Sequence, residues 1–175
     1  MKTVVIYKSK TGYTKKYAEW ISEELGCDIK ENAQISDILD YDMIICGGGV
    51  YAGSVNGAKV ITKNLGKLSG KKLILFAVGS NIEAEGNSAA FWSKTLTAEQ
   101  QEYIGHFFLR GGFDFSKVKG ADRLIMSMMK KHLENIKNPT EFDKGFLAAY
   151  SEPVDFTDKK NLAELLLYAK NNGAV

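Results

Sequence analysis

The stretch Ser9-Lys10-Thr11-Gly12-Tyr13-Thr14 lies between an apolar run and an amphipathic run. The apolar run, Thr3 to Tyr7, predicts a buried strand, and the amphipathic run, Thr14 to Leu25, predicts a helix. Hydroxyl groups and the N–H groups of a helix N-terminus would converge in this turn, which favours a phosphate dianion. Gly12 allows a tight turn without a Cβ near the ligand. An ordinary strand-to-helix turn with a Ser/Thr cap is the alternative interpretation.

Length and composition indicate one globular domain. A chain of 175 residues can bury roughly two thirds of its unfolded surface in a single core. Its apolar content of 45% and charged content of 25% are ordinary for soluble proteins. No apolar run approaches the roughly 20 residues needed to span a bilayer, and the N-terminus has no signal-peptide pattern. We therefore expect a single domain, residues 1–175, in the cytoplasm.

The charge and the cysteines exclude other classes of function. A net charge of +2 is too small to predict nucleic-acid binding. Cys27 and Cys46 have neither metal-ligand nor redox spacing, so we predict reduced, buried thiols and no metal site.

Apolar runs alternate with helical patterns along the chain, which predicts an open α/β fold. The predicted strands are Thr3–Tyr7, Asp28–Glu31, Met43–Gly47, Lys72–Val78 and Ile104–Leu109. A doubly wound five-stranded parallel sheet of the flavodoxin-like order 2-1-3-4-5 would bind its ligand at the carboxyl ends of the strands. The loops after the first, third and fourth strands should then form the site.

Helical patterns occupy the intervening segments. The predicted helices are Thr14–Leu25, Asn56–Leu68, Ala89–Thr95, Asp122–Leu133, Glu141–Tyr150 and Asp158–Asn171. Thr140 is the predicted cap of the helix from Glu141, and Thr157 is the predicted cap of the last helix, with Gly173 beyond its end. The predicted apolar face of that last helix consists of Leu162, Leu165, Leu166 and Ala169.

The first loop resembles the FMN-phosphate loop of the flavodoxin family at Ser9, Thr11, Gly12 and Thr14. This resemblance implies a flavodoxin-like fold and FMN as the cofactor. The second predicted segment of the site, Gly49-Val50-Tyr51-Ala52-Gly53, follows the third strand. Its glycines would give peptides that can flip beside the flavin, and Tyr51 would cover the ring. A glycine-rich loop with a tyrosine packed in the core is the alternative.

The third predicted segment of the site, Ser80-Asn81-Ile82, follows the fourth strand. Its side-chain and backbone groups would face the pyrimidine edge of the flavin. A plain turn at the end of a strand is the alternative.

A long segment from Arg110 to Phe156 follows the fifth strand, and a minimal flavodoxin-like domain does not need it. We interpret this segment as a helical insertion within the domain and not as a second domain, because it is too small to hold its own core. The run Asp122-Arg-Leu-Ile-Met-Ser-Met-Met places Leu124, Ile125, Met128 and Met129 on one apolar helix face.

The whole chain resembles the flavodoxin-like menaquinone-dependent protoporphyrinogen oxidase family. The residues that carry this resemblance are Met1 to Tyr7, Tyr41-Asp42, Val50 to Gly53, the insertion and its Asp122 helix. The resemblance implies an FMN-dependent oxidoreductase that passes electrons to a quinone, in which the flavin itself carries the chemistry. The insertion would then contact substrate, the inner face of the membrane or a second subunit.

Two other classes of function compete with this one. A soluble flavodoxin-type electron carrier is the main alternative, although small diffusible flavodoxins are acidic and this chain is not. A flavin-free scaffold would not need the hydroxyls of the first loop. His106 and His132 are expected to be a packed and a solvated histidine, without catalytic roles.

Overall fold

The computed structural model describes residues 1–80 and 88–173, and the chain divides into two compact units. The first, here called the sheet unit, consists of Met1–Gly111 and Thr157–Val175. The second, here called the helical unit, is Gly112–Phe156. Its limits lie close to those of the predicted insertion, Arg110 to Phe156. The interpretation of both units as one domain stays a prediction.

The main sheet lies in the sheet unit. Its strands are β1 (Thr3–Lys8), β2 (Asp28–Glu31), β3 (Met43–Tyr51), β4 (Ser54–Val55), β5 (Lys72–Gly79) and β6 (Gly105–Arg110). They follow the order β2-β1-β3-β5-β6 with parallel pairing, while β4 turns back antiparallel against β3. Because β5 and β6 are the predicted fourth and fifth strands, the predicted order 2-1-3-4-5 is confirmed.

The central strands β1, β3 and β5 are buried on both faces, as helix-covered parallel strands require. Successive residues of β1 point to opposite faces, so Val4 and Ile6 join one apolar cluster while Val5 and Tyr7 join the other. The first cluster contains Phe91, Trp92 and the residues around α2, and the second contains residues of the first and last helices. The core of the sheet unit is therefore two apolar layers separated by the sheet.

Helices flank these strands and fill the helical unit. In chain order they are α1 (Tyr13–Leu25), α2 (Lys59–Thr62), α3 (Ala89–Trp92), α4 (Ala98–Tyr103), α5 (Gly120–Glu134), α6 (Glu141–Ala148) and α7 (Ala163–Gly173). In the described part of the chain, no helix combines the length and the apolar character needed to cross a bilayer.

Two predicted helices are shorter in the structure than in the sequence pattern. The prediction of a helix over Asn56–Leu68 is wrong, because only α2 and a separate 3-10 turn at Leu65–Leu68 form there. Gly57 has a φ of 90° and Asn64 a φ of −125°, so neither continues an α-helix. The predicted helix Ala89–Thr95 ends at Trp92.

The chain also forms a helix that the sequence analysis missed. In α4 the side chain of Thr97 accepts from the backbone N of Gln100, and the Gln100 side chain accepts from the backbone N of Thr97. This is a capping box, with Thr followed three residues later by Gln. The signal is visible in the sequence.

The last helix begins later than predicted. Thr157 is not its cap, because Asp158 caps a 3-10 turn at Lys159–Leu162 and α7 starts only at Ala163. The helix includes Gly173, which was predicted to lie beyond its end. Its apolar face is confirmed. Leu162, Leu165 and Ala169 are buried, and Leu166 packs against the same cluster.

One buried hydroxyl connects distant parts of the sheet unit. The Tyr17 Oη of α1 donates to the carbonyl O of Arg110 over 2.6 Å, at the end of β6. The same oxygen accepts from Asn161 Nδ2 over 2.7 Å and from the backbone N of Asp158 over 3.3 Å. Tyr17 therefore joins the last residues before the helical unit to the first residues after it.

The first and last segments of the helical unit pair with each other. Its strands β7 (Gly112–Phe113) and β8 (Val154–Asp155) pair antiparallel. Rings of Phe113, Phe146 and Tyr150 pack within 5.1–5.6 Å of one another. The predicted Thr140 cap of α6 is confirmed, although this helix ends at Ala148, two residues earlier than predicted.

Candidate functional site

The first predicted loop connects β1 to α1 in a tight turn. Ser9 Oγ accepts a hydrogen bond from the backbone N of Gly12 over 3.1 Å. Gly12 has a φ of 96°, in the left-handed region that glycine tolerates best. α1 then begins at Tyr13 without a side-chain cap and without an acidic residue in its first turn. Among the described residues, the first turn of α1 therefore has no carboxylate to offset the positive end of the helix dipole, which suits an anionic ligand.

The structure brings the first and second predicted segments together. Thr14 is 3% exposed, and its Oγ1 lies 3.7 Å from the position that a Cβ on Gly49 would take. Lys10 Nζ lies 4.5 Å from the centroid of the Tyr51 ring. Residues predicted from two separate motifs therefore share one edge of the sheet.

The second segment is a hairpin rather than a loop after a short strand. The predicted third strand ended at Gly47, but β3 continues to Tyr51 because β4 pairs with it, Val50 opposite Val55. The turn between them is Ala52-Gly53, with φ values of 48° and 74°. Positive φ at both central residues is typical of a type I′ hairpin turn. The strand pairing therefore fixes Tyr51 beside the first loop.

The backbone at the end of β3 has close neighbours. A Cβ on Gly48 would lie 1.9 Å from the carbonyl O of Asn56, and one on Gly47 would lie 2.0 Å from Cζ of Phe76. A Cβ cannot fit at such distances unless backbone or ring moves. These glycines are therefore required by close packing around the site.

Asn56 is a candidate site residue that the sequence analysis missed. Its backbone N donates to the carbonyl O of Gly49 over 2.9 Å, so it lies beside the second segment. Its Nδ2 is buried, and it has no hydrogen-bond partner in the described part of the chain. Burying an amide donor without a partner costs roughly 1–3 kcal/mol, which a bound ligand would offset. The sequence pattern had assigned Asn56 only to the start of a helix.

The third segment is described only in part. Ser80 follows β5 directly and is partly exposed. Because Val78 of β5 pairs with Gly49 of β3, Ser80 lies at the same edge of the sheet as the other two segments. Asn81 and Ile82 lie outside the described residues.

A cavity of about 350 Å³ borders this edge. It has Ile6 and Cys46 among its apolar lining and Lys8, Lys59 and Asn64 among its polar lining. Its size falls within the range of small-molecule pockets, roughly 300–1,000 Å³. Its described lining includes none of the residues predicted for the site, so this cavity lies beside the predicted site rather than within it.

Tyr7 and Cys46, which line this cavity, both have raised pKa values. Burial is the main reason that the pKa of Tyr7 lies above its ordinary value, and the nearby Glu31 and Glu19 raise it further. Burial raises the pKa of the Cys46 thiol to about 12, so this thiol is not a nucleophile at neutral pH. Neither group therefore carries a charge at neutral pH.

The local surroundings of the two histidines do not indicate a catalytic role. His106 Nδ1 lies 3.0 Å from the carbonyl O of Ile104, and its ring packs 4.8 Å from that of Trp92. His132 is exposed on α5. Among the residues with a described structure, no three His, Cys, Asp or Glu side chains are grouped to hold a metal ion.

Comparison with known proteins finds a similar sequence of similar length and similar solved structures that are shorter. The flavodoxin-like domain-containing protein BilS of Clostridioides difficile is 25% identical, and the match covers 98% of this chain and 96% of that protein. The Trp repressor binding protein of Bacillus subtilis is 15% identical, with a TM-score of 0.48 and coverage of 73% and 94%. A flavoprotein of Lactobacillus acidophilus, solved with FMN, is 17% identical, with a TM-score of 0.42 and coverage of 62% and 91%.

A family profile described as a flavodoxin domain matches residues 4–140, well over half of the chain. The match includes β1, the first loop, the β3 hairpin and β5, which together form the edge described above. The chain therefore belongs to the flavodoxin domain family.

Proposed function

We propose that this protein binds FMN at the carboxyl ends of β1, β3 and β5 and acts as a flavin-dependent oxidoreductase. The convergence of Thr14 and Lys10 with Gly49 and Tyr51 carries the proposal, because it joins a phosphate site to a site for an aromatic ring. Membership of the flavodoxin domain family supports it. Bound FMN would supply two-electron redox chemistry that protein side chains lack.

Each part of this edge has a role toward the cofactor. Thr11, Thr14 and the N-terminus of α1 would bind the phosphate, since hydroxyl and N–H donors favour an anion. Tyr51 and the backbone of Gly49–Gly53 would contact the flavin ring, and the buried Nδ2 of Asn56 would donate to a polar group of the ligand. The sequence contains one convincing phosphate cradle, which favours FMN over FAD or NAD.

The cofactor is tested on the purified protein and on variants of Thr14. The protein should be yellow, and the flavin released by acid should chromatograph as FMN. Thr14→Val keeps the buried volume but removes the hydroxyl, and should weaken FMN binding by about 1.5–3 kcal/mol. Thr14→Ser, the matched control, should bind FMN nearly as the wild type does.

Riboflavin separates the phosphate contact from the rest of the site. Riboflavin lacks the phosphate, so wild type and Thr14→Val should bind it with equal affinity in a fluorescence titration. Released FAD, or a Thr14→Val variant that binds FMN as tightly as wild type, would contradict the assignment.

For the reaction, we propose the protoporphyrinogen oxidase type, within haem biosynthesis. The Val50–Gly53 hairpin and the Asp122–Met129 run of α5 resemble that family, and the helical unit occupies the position of its insertion. The substrate loses six electrons and six protons in three steps, and each step reduces one quinone to a quinol.

The assay measures protoporphyrin fluorescence under anaerobic conditions with a menaquinone analogue as acceptor. Protoporphyrin should form only when protein, substrate and quinone are all present. A soluble electron carrier would leave the substrate unchanged while still exchanging electrons with a flavodoxin reductase, and that result would replace the oxidase proposal without affecting the FMN proposal.

A further inference from the structure

Four exposed apolar side chains of the helical unit lie on one helix, while Phe142 and Phe156 are exposed elsewhere in the unit. Leu124, Ile125, Met128 and Met129 are 66%, 61%, 64% and 43% exposed, and they are here called the α5 face. Spacings of one, three and four residues put them on one side of the helix. In the described part of the sheet unit, exposed apolar side chains of similar size are spread over several segments, with Leu167 and Tyr168 together on α7. They are Met1, Ile29, Leu39, Tyr103, Leu167 and Tyr168.

The neighbouring side of α5, which includes Leu133 four residues after Met129, packs within the helical unit. Leu133 is 7% exposed, and the carbonyl O of Met126 accepts a hydrogen bond from Tyr150 Oη over 2.9 Å. α5 is therefore anchored through one side and presents a second apolar side to its surroundings. Contiguous exposed apolar patches of this kind mark interaction sites.

The charges around the α5 face do not favour an anionic membrane. Arg123 Nη1 donates to the carbonyl oxygens of Phe115 and Val118, and its guanidinium lies 4.4 Å from the Phe115 ring centroid. Lys130 Nζ lies 3.9 Å from Glu134 Oε1. The helical unit as a whole has seven Lys and Arg residues and seven Asp and Glu residues. Arg123 and Lys130 are thus engaged within the unit, and a unit of zero formal charge lacks the basic excess that draws a helix to anionic lipid.

We infer that the α5 face docks onto the α5 face of a second copy of this chain, around a two-fold axis. A neutral, apolar face can meet its own copy without placing an excess of like charge across the interface. Its two methionines adapt to an irregular partner surface.

The exposed area of the α5 face limits the size of this interface. Each of the four side chains exposes roughly 100 Å², so two faces bury about 800 Å² in total. The exposed Ala121, Lys131 and His132 flank the face and bring the total toward the ~1,000 Å² that a specific interface needs. We therefore expect a dimer that dissociates in the micromolar range rather than an obligate one.

The test is sedimentation equilibrium of the full chain as purified, across a concentration series. The wild type should rise from the chain mass of 19.3 kDa toward twice that value. Leu124→Glu should remain at 19.3 kDa at every concentration, because the new carboxylates would meet across the axis. The matched control is Leu167→Glu on α7, which has nearly the same exposure, 62% against 66%, and should dimerise as wild type does.

Each outcome bears on the inference. Far-UV circular dichroism should be identical for the three proteins, since both leucines are exposed and neither substitution disturbs a core. A wild type that stays monomeric up to about 1 mM overturns the inference. Equal dimerisation of Leu124→Glu and wild type overturns it as well. Binding of a monomeric wild type to phosphatidylglycerol vesicles, lost in Leu124→Glu, would assign the α5 face to a membrane instead.

Discussion

The sheet unit and the helical unit are stabilised in different ways. The bulkiest fully buried side chains of the described chain, including Trp92, Tyr17 and Phe76, lie in the sheet unit. In the helical unit even Leu133 and Tyr150 keep 7% and 8% of their surface exposed. Stability in the sheet unit comes from apolar burial between residues far apart in sequence, and in the helical unit from ring contacts and capped helix ends. We expect the helical unit to open more readily.

The largest expected difference is in the free energy of unfolding, when one aromatic ring is removed from each unit. Phe76 is 0% exposed at the centre of the sheet, so Phe76→Ala should lower the free energy of unfolding by about 4 kcal/mol. Phe146 of α6 is only partly buried, so Phe146→Ala should cost about 1–2 kcal/mol.

Urea denaturation followed by tryptophan fluorescence measures the first change, since Trp20 and Trp92 both lie in the sheet unit. Far-UV circular dichroism follows both units. Equal losses for the two variants would remove the distinction between the units.

The same glycine-to-alanine change should have opposite signs in the two units. A Cβ on Gly48 meets the backbone of Asn56 at 1.9 Å, so Gly48→Ala should cost about 3 kcal/mol by overpacking. It should also weaken FMN binding, because Gly49 and Tyr51 follow directly in β3.

Gly145 of α6 is the matched position in the helical unit. A Cβ there has no neighbour within 4 Å, and alanine should stabilise the helix by about 0.5–1 kcal/mol. Thermal unfolding of both variants compares the signs. A destabilising Gly145→Ala would show that α6 is more tightly packed than its exposure indicates.

A smaller gain is expected at the hairpin turn of the sheet unit. Ala52 is exposed and has a φ of 48°, a conformation that disfavours residues with a Cβ other than Asn and Asp. Ala52→Asn creates Asn-Gly, the preferred pair for a type I′ turn, and should stabilise by about 0.5 kcal/mol. Thermal unfolding measures the gain, and Ala52→Val, which should destabilise, is the control.

The smallest effect is a local response of the helical unit to acid. Hydrogen bonds from Thr140 lower the pKa of Asp143, and hydrogen bonds from Ser116 lower that of Asp114, both below the ordinary 3.8. Since the pKa is lower in the folded state, these groups contribute their full stabilisation above 3.8, and it is lost as pH falls through the folded-state pKa.

Amide exchange followed by NMR should show α6 losing protection in acid before the main sheet does. Asp143→Asn keeps an acceptor for the cap but cannot titrate, and should reduce this pH dependence in α6. Loss of protection at the same pH throughout the chain would contradict a separate response of the helical unit.

The sequence predicted the sheet well because its signals are strong. The runs at Val4, Ile44 and Leu73 are apolar on both faces, and parallel strands separated by helices admit few arrangements. The Ser9–Thr14 turn could also be predicted, since its glycine and hydroxyl residues lie between an apolar strand pattern and an amphipathic helix pattern. Its role in binding the cofactor stays a prediction until FMN is measured.

The remaining differences between the predictions and the structure come from contacts that a local sequence pattern does not reveal. β3 extends to Tyr51 because β4 pairs with it, and a two-residue strand is too short to predict from alternation. The Nδ2 of Asn56 is buried without a described hydrogen-bond partner, and the backbone of Asn56 lies beside Gly48. Neither fact can be read from the sequence around Asn56. The sequence placed Leu124 on an apolar helix face, but only the structure shows that this face is exposed rather than packed.

The hydrogen bonds of Tyr17 have a consequence for chain entropy. Arg110 and Asp158 both lie within 3.3 Å of its hydroxyl oxygen, so the sheet unit itself holds together the two points between which residues 112–156 are inserted. The loop closed at these points costs only about 0.6 kcal/mol more for each doubling of its length. The inserted segment can therefore lengthen, shorten or be exchanged during evolution. The edge of the sheet at the carboxyl ends of β1, β3 and β5 would keep its geometry.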